Sequence, residues 1–157
     1  MDNDFNYAIS VLTGQDKQFA ISGEIRDTIF HDVLSSFNNK PTKIFQVGAI
    51  ESFASRFRIG SGWSDIIFGK YIRQHGGTLT IVDIDLDHLA NSALAAARLE
   101  YPLAISFGDA VEHIREGYDI YYLDGADVPL GNAQTLAQFK KIENTKSVVI
   151  VDDIKTK

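Results

Sequence analysis

The pattern of residues predicts an α/β domain built on an open, doubly wound, mainly parallel sheet with helices on both faces. Three features carry that expectation. Short apolar runs alternate with longer amphipathic stretches in the order βαβαβαβαβ. Runs such as Ile81-Val82 and Val148-Val149-Ile150-Val151 are apolar at successive positions, as strands covered on both faces must be. The three prolines, Pro41, Pro102 and Pro129, fall where one element gives way to the next.

Taken in order, Ile25, Ile29, Val33 and Phe37 recur every fourth residue, which predicts an amphipathic helix over 22–37, and Asn38-Asn39-Lys40-Pro41 supplies its stop. Strands are predicted over 43–49, 78–83, 103–107, 118–124 and 147–152, where the apolar runs lie. Between them, helices are predicted over 64–74, 86–100, 110–115 and 132–142, the second rich in Ala and Leu. No repeat, low-complexity tract or Pro/Gly/Ser linker interrupts the 157 residues, so one domain over 1–157 is expected, a helical segment 1–40 preceding the core 41–157. With right-handed crossovers, a ligand site belongs at the carboxyl ends of the strands, near the point where the winding reverses.

Composition narrows the chemistry. Apolar residues at 45% and charged residues at 23% suit a packed globular core. Fifteen Lys and Arg against 21 Asp and Glu leave a formal net charge of −6, which offers no general attraction to phosphate backbones or anionic membranes, so neither nucleic acid nor membrane is an expected partner. The absence of cysteine excludes disulfides, thiolate metal sites and cysteine nucleophiles. An acidic Met1-Asp2-Asn3-Asp4 start, without an apolar run of roughly 18 residues, leads to the expectation of a cytoplasmic protein. Neither a Gly-x-Ser-x-Gly elbow nor a Gly-x-x-x-x-Gly-Lys-Ser/Thr phosphate loop occurs. The histidines, His31, His75, His88 and His113, lie in predicted helices or at their ends without metal-ligand spacing and are read as surface residues.

Chemistry is therefore sought at strand ends. The first strand ends in Gln46-Val47-Gly48, and Gly60-Ser61-Gly62 precedes the helix starting near Ser64; such glycines admit a ligand close to backbone, or serve only as turn punctuation. The second ends in Asp83-Ile84-Asp85, where an acid accepts both hydroxyls of a ribose or caps the next helix; Asp83 is assigned the ribose, and Asp85 or Asp87 the cap. After the third, Asp109 and Ala110 stand at a helix start, where Asp109 receives an adenine amino group or caps the helix. The fourth ends in Asp124-Gly125-Ala126-Asp127 and the fifth in Asp152-Asp153. Carboxylates converging from adjacent strand ends repel unless a proton or cation sits among them, so Asp124, Asp152 and Asp153 form a conditional site for Mg²⁺ or another divalent cation. The alternative is solvated acids bonded to loop amides.

In their order and spacing, these segments resemble the class I S-adenosylmethionine-dependent methyltransferases: Phe45-Gln46-Val47-Gly48, Gly60-Ser61-Gly62-Trp63-Ser64-Asp65, Ile81-Val82-Asp83-Ile84-Asp85, Gly108-Asp109-Ala110, Tyr122-Leu123-Asp124-Gly125-Ala126-Asp127 and Val151-Asp152-Asp153. The resemblance implies a Rossmann-like fold with S-adenosyl-L-methionine as cofactor. It implies that Gly48, Gly60, Ser61, Gly62 and Ser64 line the methionine part, that Asp83 holds the ribose, that Ile84 also contacts the cofactor, and that Asp109 and Ala110 meet adenine. It also places Asp124 beside the sulfonium and the acceptor. The cation-dependent O-methyltransferases of that superfamily carry acids at the ends of strands four and five, matched here by Asp124, Asp152 and Asp153. Three departures stand out. Gln46 occupies the place of the usual acid, Asp127 stands where a lysine is usual, and members usually continue with two more strands whereas this sequence stops three residues after Ile154. The expected sheet thus lacks those last two strands, leaving strand five an open edge that invites pairing with a second copy.

The reading is a methyltransferase acting on a small molecule, at oxygen, with Asp124 positioning the acceptor and Asp127 as general base. Two alternatives accompany it: a methyltransferase-like binding or assembly subunit without catalysis, and an NAD-dependent oxidoreductase. For the latter, Asp65 falls in the place of the third glycine of Gly-x-Gly-x-x-Gly.

Overall fold

The computed structural model describes residues 24–54, 64–124 and 131–152, with residues 24–28 and 131–132 described by backbone alone. Ten elements follow one another: α1 (Glu24–Ser36), β1 (Thr42–Val47), α2 (Ser64–His75), β2 (Gly77–Asp83), α3 (Leu86–Leu99), β3 (Leu103–Phe107), α4 (Ala110–His113), β4 (Ile120–Leu123), α5 (Gly131–Lys140) and β5 (Val148–Val151). All strand pairs are parallel, in the order β3-β2-β1-β4-β5. The chain winds outward from β1 to β3, returns past β1, and winds outward again through β4 and β5.

Period-two side-chain alternation divides the core between the two faces of the sheet. On one face, Ile44, Leu79, Ile81, Ile120 and Tyr122 pack against Phe30 and Leu34 of α1, Phe68, Tyr71 and Ile72 of α2, and Leu89 and Ala96 of α3. On the other, Phe45, Val47, Val82, Tyr121 and Leu123 meet Ala110 of α4, Ile114 just beyond it, and Ile142 after α5. Each fully buried large side chain contributes about 1.5–3 kcal/mol by leaving water, so these two layers hold the central strands. Coverage thins toward the rims. Ile105 and Phe107 of β3 are 48% and 58% exposed, and every residue of β5 is half-buried. The two-sided burial expected of Ile81-Val82 therefore holds, as it does along β1 and β4, whereas that expected of Val148-Val149-Ile150-Val151 is incomplete because β5 lies at the edge.

Element ends follow local chemistry. Asp85 caps α3 by accepting the N–H groups of Asp87 and His88, and Glu100, at φ 59°, closes its far end. None of the helices with described residues is long and apolar enough to cross a membrane.

Candidate functional site

The parallel strands end along one rim, and backbone hydrogen bonds carry the ladders past their formal termini. The Gly48 N–H donates to the Val82 carbonyl (2.9 Å), the Gly108 N–H to the Asp83 carbonyl (3.0 Å), and the Asp152 N–H to the Leu123 carbonyl (3.2 Å). Gly48, Asp83, Gly108, Asp124 and Asp152 consequently form one row. The winding reverses between β1 and β4, so Gly48 and Asp124 stand together at the crevice where doubly wound sheets take ligands. Gly48 has φ +92°, and a Cβ there would lie 2.9 Å from the Asp124 carbonyl oxygen. Both facts require glycine, for reasons internal to the chain.

Asp83 organises the second strand end. Its Oδ2 accepts the Ala49 N–H (2.8 Å) and its Oδ1 the Asp85 N–H (2.8 Å), so it fixes both the exit from β1 and the turn after β2. Each oxygen retains a second lone pair. His88 Nδ1 lies 3.5 Å from Oδ2, a contact unforeseen for a histidine read as a surface residue. Ile84, beside it, is 71% exposed. Of the two roles open to Asp109, the structure realises capping, with Oδ1 accepting the Val111 N–H at 2.8 Å. Ala110 and Ser64 are both buried.

At the far side of the crevice, the Tyr122 hydroxyl donates to Asp152 Oδ2 at 2.6 Å and lies 3.4 Å from Asp124 Oδ2. Its ring is held by Phe30 in a T-shaped contact with centroids 5.2 Å apart. Gln46, the β1 partner of Tyr122 in register, is 2% exposed. Its Nε2 donates to the Gly48 carbonyl at 2.7 Å, while its Oε1 is buried without a hydrogen-bond partner among the described residues. The conditional metal set is thus represented by Asp124 and Asp152, bridged by a tyrosine hydroxyl. Among the described residues no group of three His, Cys, Asp or Glu is placed to hold a metal ion. Gly60, Ser61, Gly62, Trp63, Asp127 and Asp153 lie outside the described residues.

Sequence reasoning missed the contributions of Tyr122, His88, Ser92 and Asp65. Asp65 stood out only as the residue replacing a third glycine; it is 1% exposed and bonded to Ser92. The available signal for Tyr122 was its place two residues before Asp124, on the same face of the strand.

No protein-family model matches the chain, and no curated protein is similar to it. A solved structure of a point mutant of MtNAS is similar to it with a TM-score of 0.58 at 11% identity, covering 94% of this chain and 53% of that one. The fold is Rossmann-like. Other similar structures include S-adenosylmethionine-dependent methyltransferases. One, from Geobacter sulfurreducens in complex with S-adenosyl-L-homocysteine, has 16% identity, coverage of 84% and 50%, and a TM-score of 0.49. Another is the N-methyltransferase NodS from Bradyrhizobium japonicum WM9, also with S-adenosyl-L-homocysteine, at 11% identity, coverage of 89% and 66%, and a TM-score of 0.47. The chain spans about half the length of the first two of these structures.

Proposed function

We propose that this Rossmann-like domain is an S-adenosyl-L-methionine-dependent methyltransferase domain that methylates a small molecule at oxygen. The observation that carries the reading is the row of strand ends, which gathers Gly48, Asp83 and Asp124 at the point where the winding reverses. The residues fit such a cofactor. Gln46 Oε1 is a buried acceptor without a partner among the described residues, suited to an ammonium group. Asp83 keeps one lone pair on each oxygen for a ribose diol, and Ile84 offers exposed apolar surface beside it.

When bound, the cofactor supplies a methyl group on a positively charged sulfur, already activated for in-line displacement. The chain's task is to align the acceptor and exclude water. Asp124 orients the acceptor hydroxyl from the end of β4, and Asp127 takes its proton. Tyr122 fixes Asp152 beside Asp124. Nothing in this reading draws on a metal ion.

Calorimetric titration of the folded chain with S-adenosyl-L-homocysteine tests it, with micromolar binding expected. Absence of binding by a folded chain overturns it and favours the second reading, a non-catalytic binding or assembly subunit. Gln46 in the place of an acid and the two backbone amides already held by Asp83 support that alternative, and β5 at the rim of the sheet would be its pairing edge.

A further inference from the structure

One hydroxyl holds both ends of the connection between β1 and α2. Ser92, fully buried on α3, accepts the Ile50 N–H at 3.0 Å and donates to Asp65 Oδ2 at 2.6 Å. Ile50 lies just after β1 and Asp65 in the first turn of α2, so the exit of β1 and the start of α2 are both tied to α3. Asn91, the preceding residue, adds hydrogen bonds from Nδ2 to the carbonyls of Ile50 (3.0 Å) and Glu51 (3.1 Å). These bonds fix the backbone immediately after Gly48, which is the β1 side of the candidate site.

Asp65 is 1% exposed. From α3 it faces the neutral Ser92, and from its own helix start the N–H groups of Asp65 and Ile66. From the segment after α3 it faces the phenol of Tyr101, whose ionisation is pushed up by burial first and by the Asp65 carboxylate second. The Tyr101 hydroxyl is buried without a hydrogen-bond partner among the described residues. Burial outweighs the hydrogen bonds and raises the Asp65 pKa from 3.8 to about 7.

We propose that Asp65 and Ser92 are positioning residues that form a proton-sensitive clasp on the β1 exit, closed while the Asp65 carboxyl is neutral and released as it ionises. The physical reason is linkage. Asp65 is a buried carboxylate without a cationic partner among the described residues, which disfavours its charged form, whereas opening the clasp to water restores ordinary ionisation. Each pH unit between the two ionisation ranges therefore favours the open form about tenfold. A neutral carboxyl still accepts the Ser92 hydroxyl through a carbonyl-type oxygen, so closure survives protonation.

Amide hydrogen exchange of the whole chain tests the clasp between about pH 5 and 8.5, with rates corrected for intrinsic pH dependence. Protection of the Ile50 amide is expected to fall about tenfold per pH unit up to about pH 7 and then level off, while remaining below that of Ile81 in the central sheet. Asp65→Asn should keep Ile50 protected at every pH, and Ser92→Ala should lose that protection about tenfold or more at every pH. Wild-type protection that is flat with pH, or equal to that of Ile81 throughout, overturns the clasp. A second arm rests on the methyltransferase reading: S-adenosyl-L-homocysteine should bind more weakly at pH 8 than at pH 6 in the wild type and equally in Asp65→Asn. Binding that is equal at both pH values in the wild type overturns the positioning role. Absence of binding at either pH overturns the methyltransferase reading, while the exchange data still decide the clasp.

Discussion

Tyr122 donates its hydroxyl to Asp152 at 2.6 Å while its ring packs against Phe30, so one side chain joins α1 to the ends of β4 and β5. The ring contributes to the core and the hydroxyl orders the rim. Tyr122→Phe should keep the contacts to Phe30 and Phe68 and lose the bond to a carboxylate, costing about 1.5–3 kcal/mol in urea denaturation. A loss below about 0.5 kcal/mol would mean that water replaces the hydroxyl without penalty.

Two glycines differ in the severity expected of an added methyl group. At Gly77, φ is +113° and a Cβ would fall 2.0 Å from the Thr42 carbonyl oxygen, at the first register pair of β1 and β2. Gly77→Ala should cost more than about 4 kcal/mol and give a chain that fails to fold by circular dichroism. Gly48→Ala, with a contact of 2.9 Å to the Asp124 carbonyl, should cost about 1–3 kcal/mol. It should also weaken S-adenosyl-L-homocysteine binding by pushing β1 away from β4.

Replacing Asp83 by alanine leaves the amides of Ala49 and Asp85 without their acceptor and removes the proposed ribose contact. The expected loss of S-adenosyl-L-homocysteine affinity is at least about tenfold, from the roughly 1.5–3 kcal/mol typical of hydrogen bonds to charged groups. Asp83→Asn, which keeps one acceptor oxygen, should fall between alanine and wild type. Unchanged affinity in a folded Asp83→Ala chain would remove this residue from the site.

Asp65 sets a direction for global stability as well. Its folded pKa of about 7 lies above the ordinary 3.8, so the native state holds the proton more tightly than the unfolded chain does. Its contribution is therefore most favourable below about pH 4, declines as the pH rises toward 7, and is constant beyond. At about 1.4 kcal/mol per unit, the swing is on the order of 4 kcal/mol at most. Denaturation midpoints of wild type and Asp65→Asn should diverge across that interval, the variant gaining at high pH. Parallel pH profiles would show that Asp65 is hydrated in the native state.

Much of the architecture was legible in the chain because it rests on short-range rules. Short continuous apolar runs located the five described strands, and helical stretches between and before them the five described helices, with β3 placed at its observed bounds, Leu103–Phe107. Of the two acids offered as the α3 cap, Asp85 and Asp87, the structure uses Asp85, which stands immediately before the helical run. Boundaries shifted where tertiary bonds act. The predicted strand over 118–124 shortens to Ile120–Leu123, and Tyr118 instead donates its hydroxyl to Thr80 across the sheet. The site was less legible. Gly48, Asp83 and Asp124 do stand at strand ends, but the amides on Asp83 come from Ala49, 34 positions earlier, and from Asp85, and only the first of these is a tertiary contact.

Which segments become strands, where their polar ends lie and which acids accompany them were written in the order of residues, since backbone propensity and side-chain alternation act between near neighbours. Which of those ends meet depended on long-range packing. The order β3-β2-β1-β4-β5 sets Gly48 against Asp124, the register of β4 and β5 brings Tyr122 to Asp152, and the packing of α2 on α3 seals Asp65 beneath Ser92. The last is the clearest case: a carboxylate in a first helical turn is an ordinary helix-start residue until distant parts of the chain remove its water.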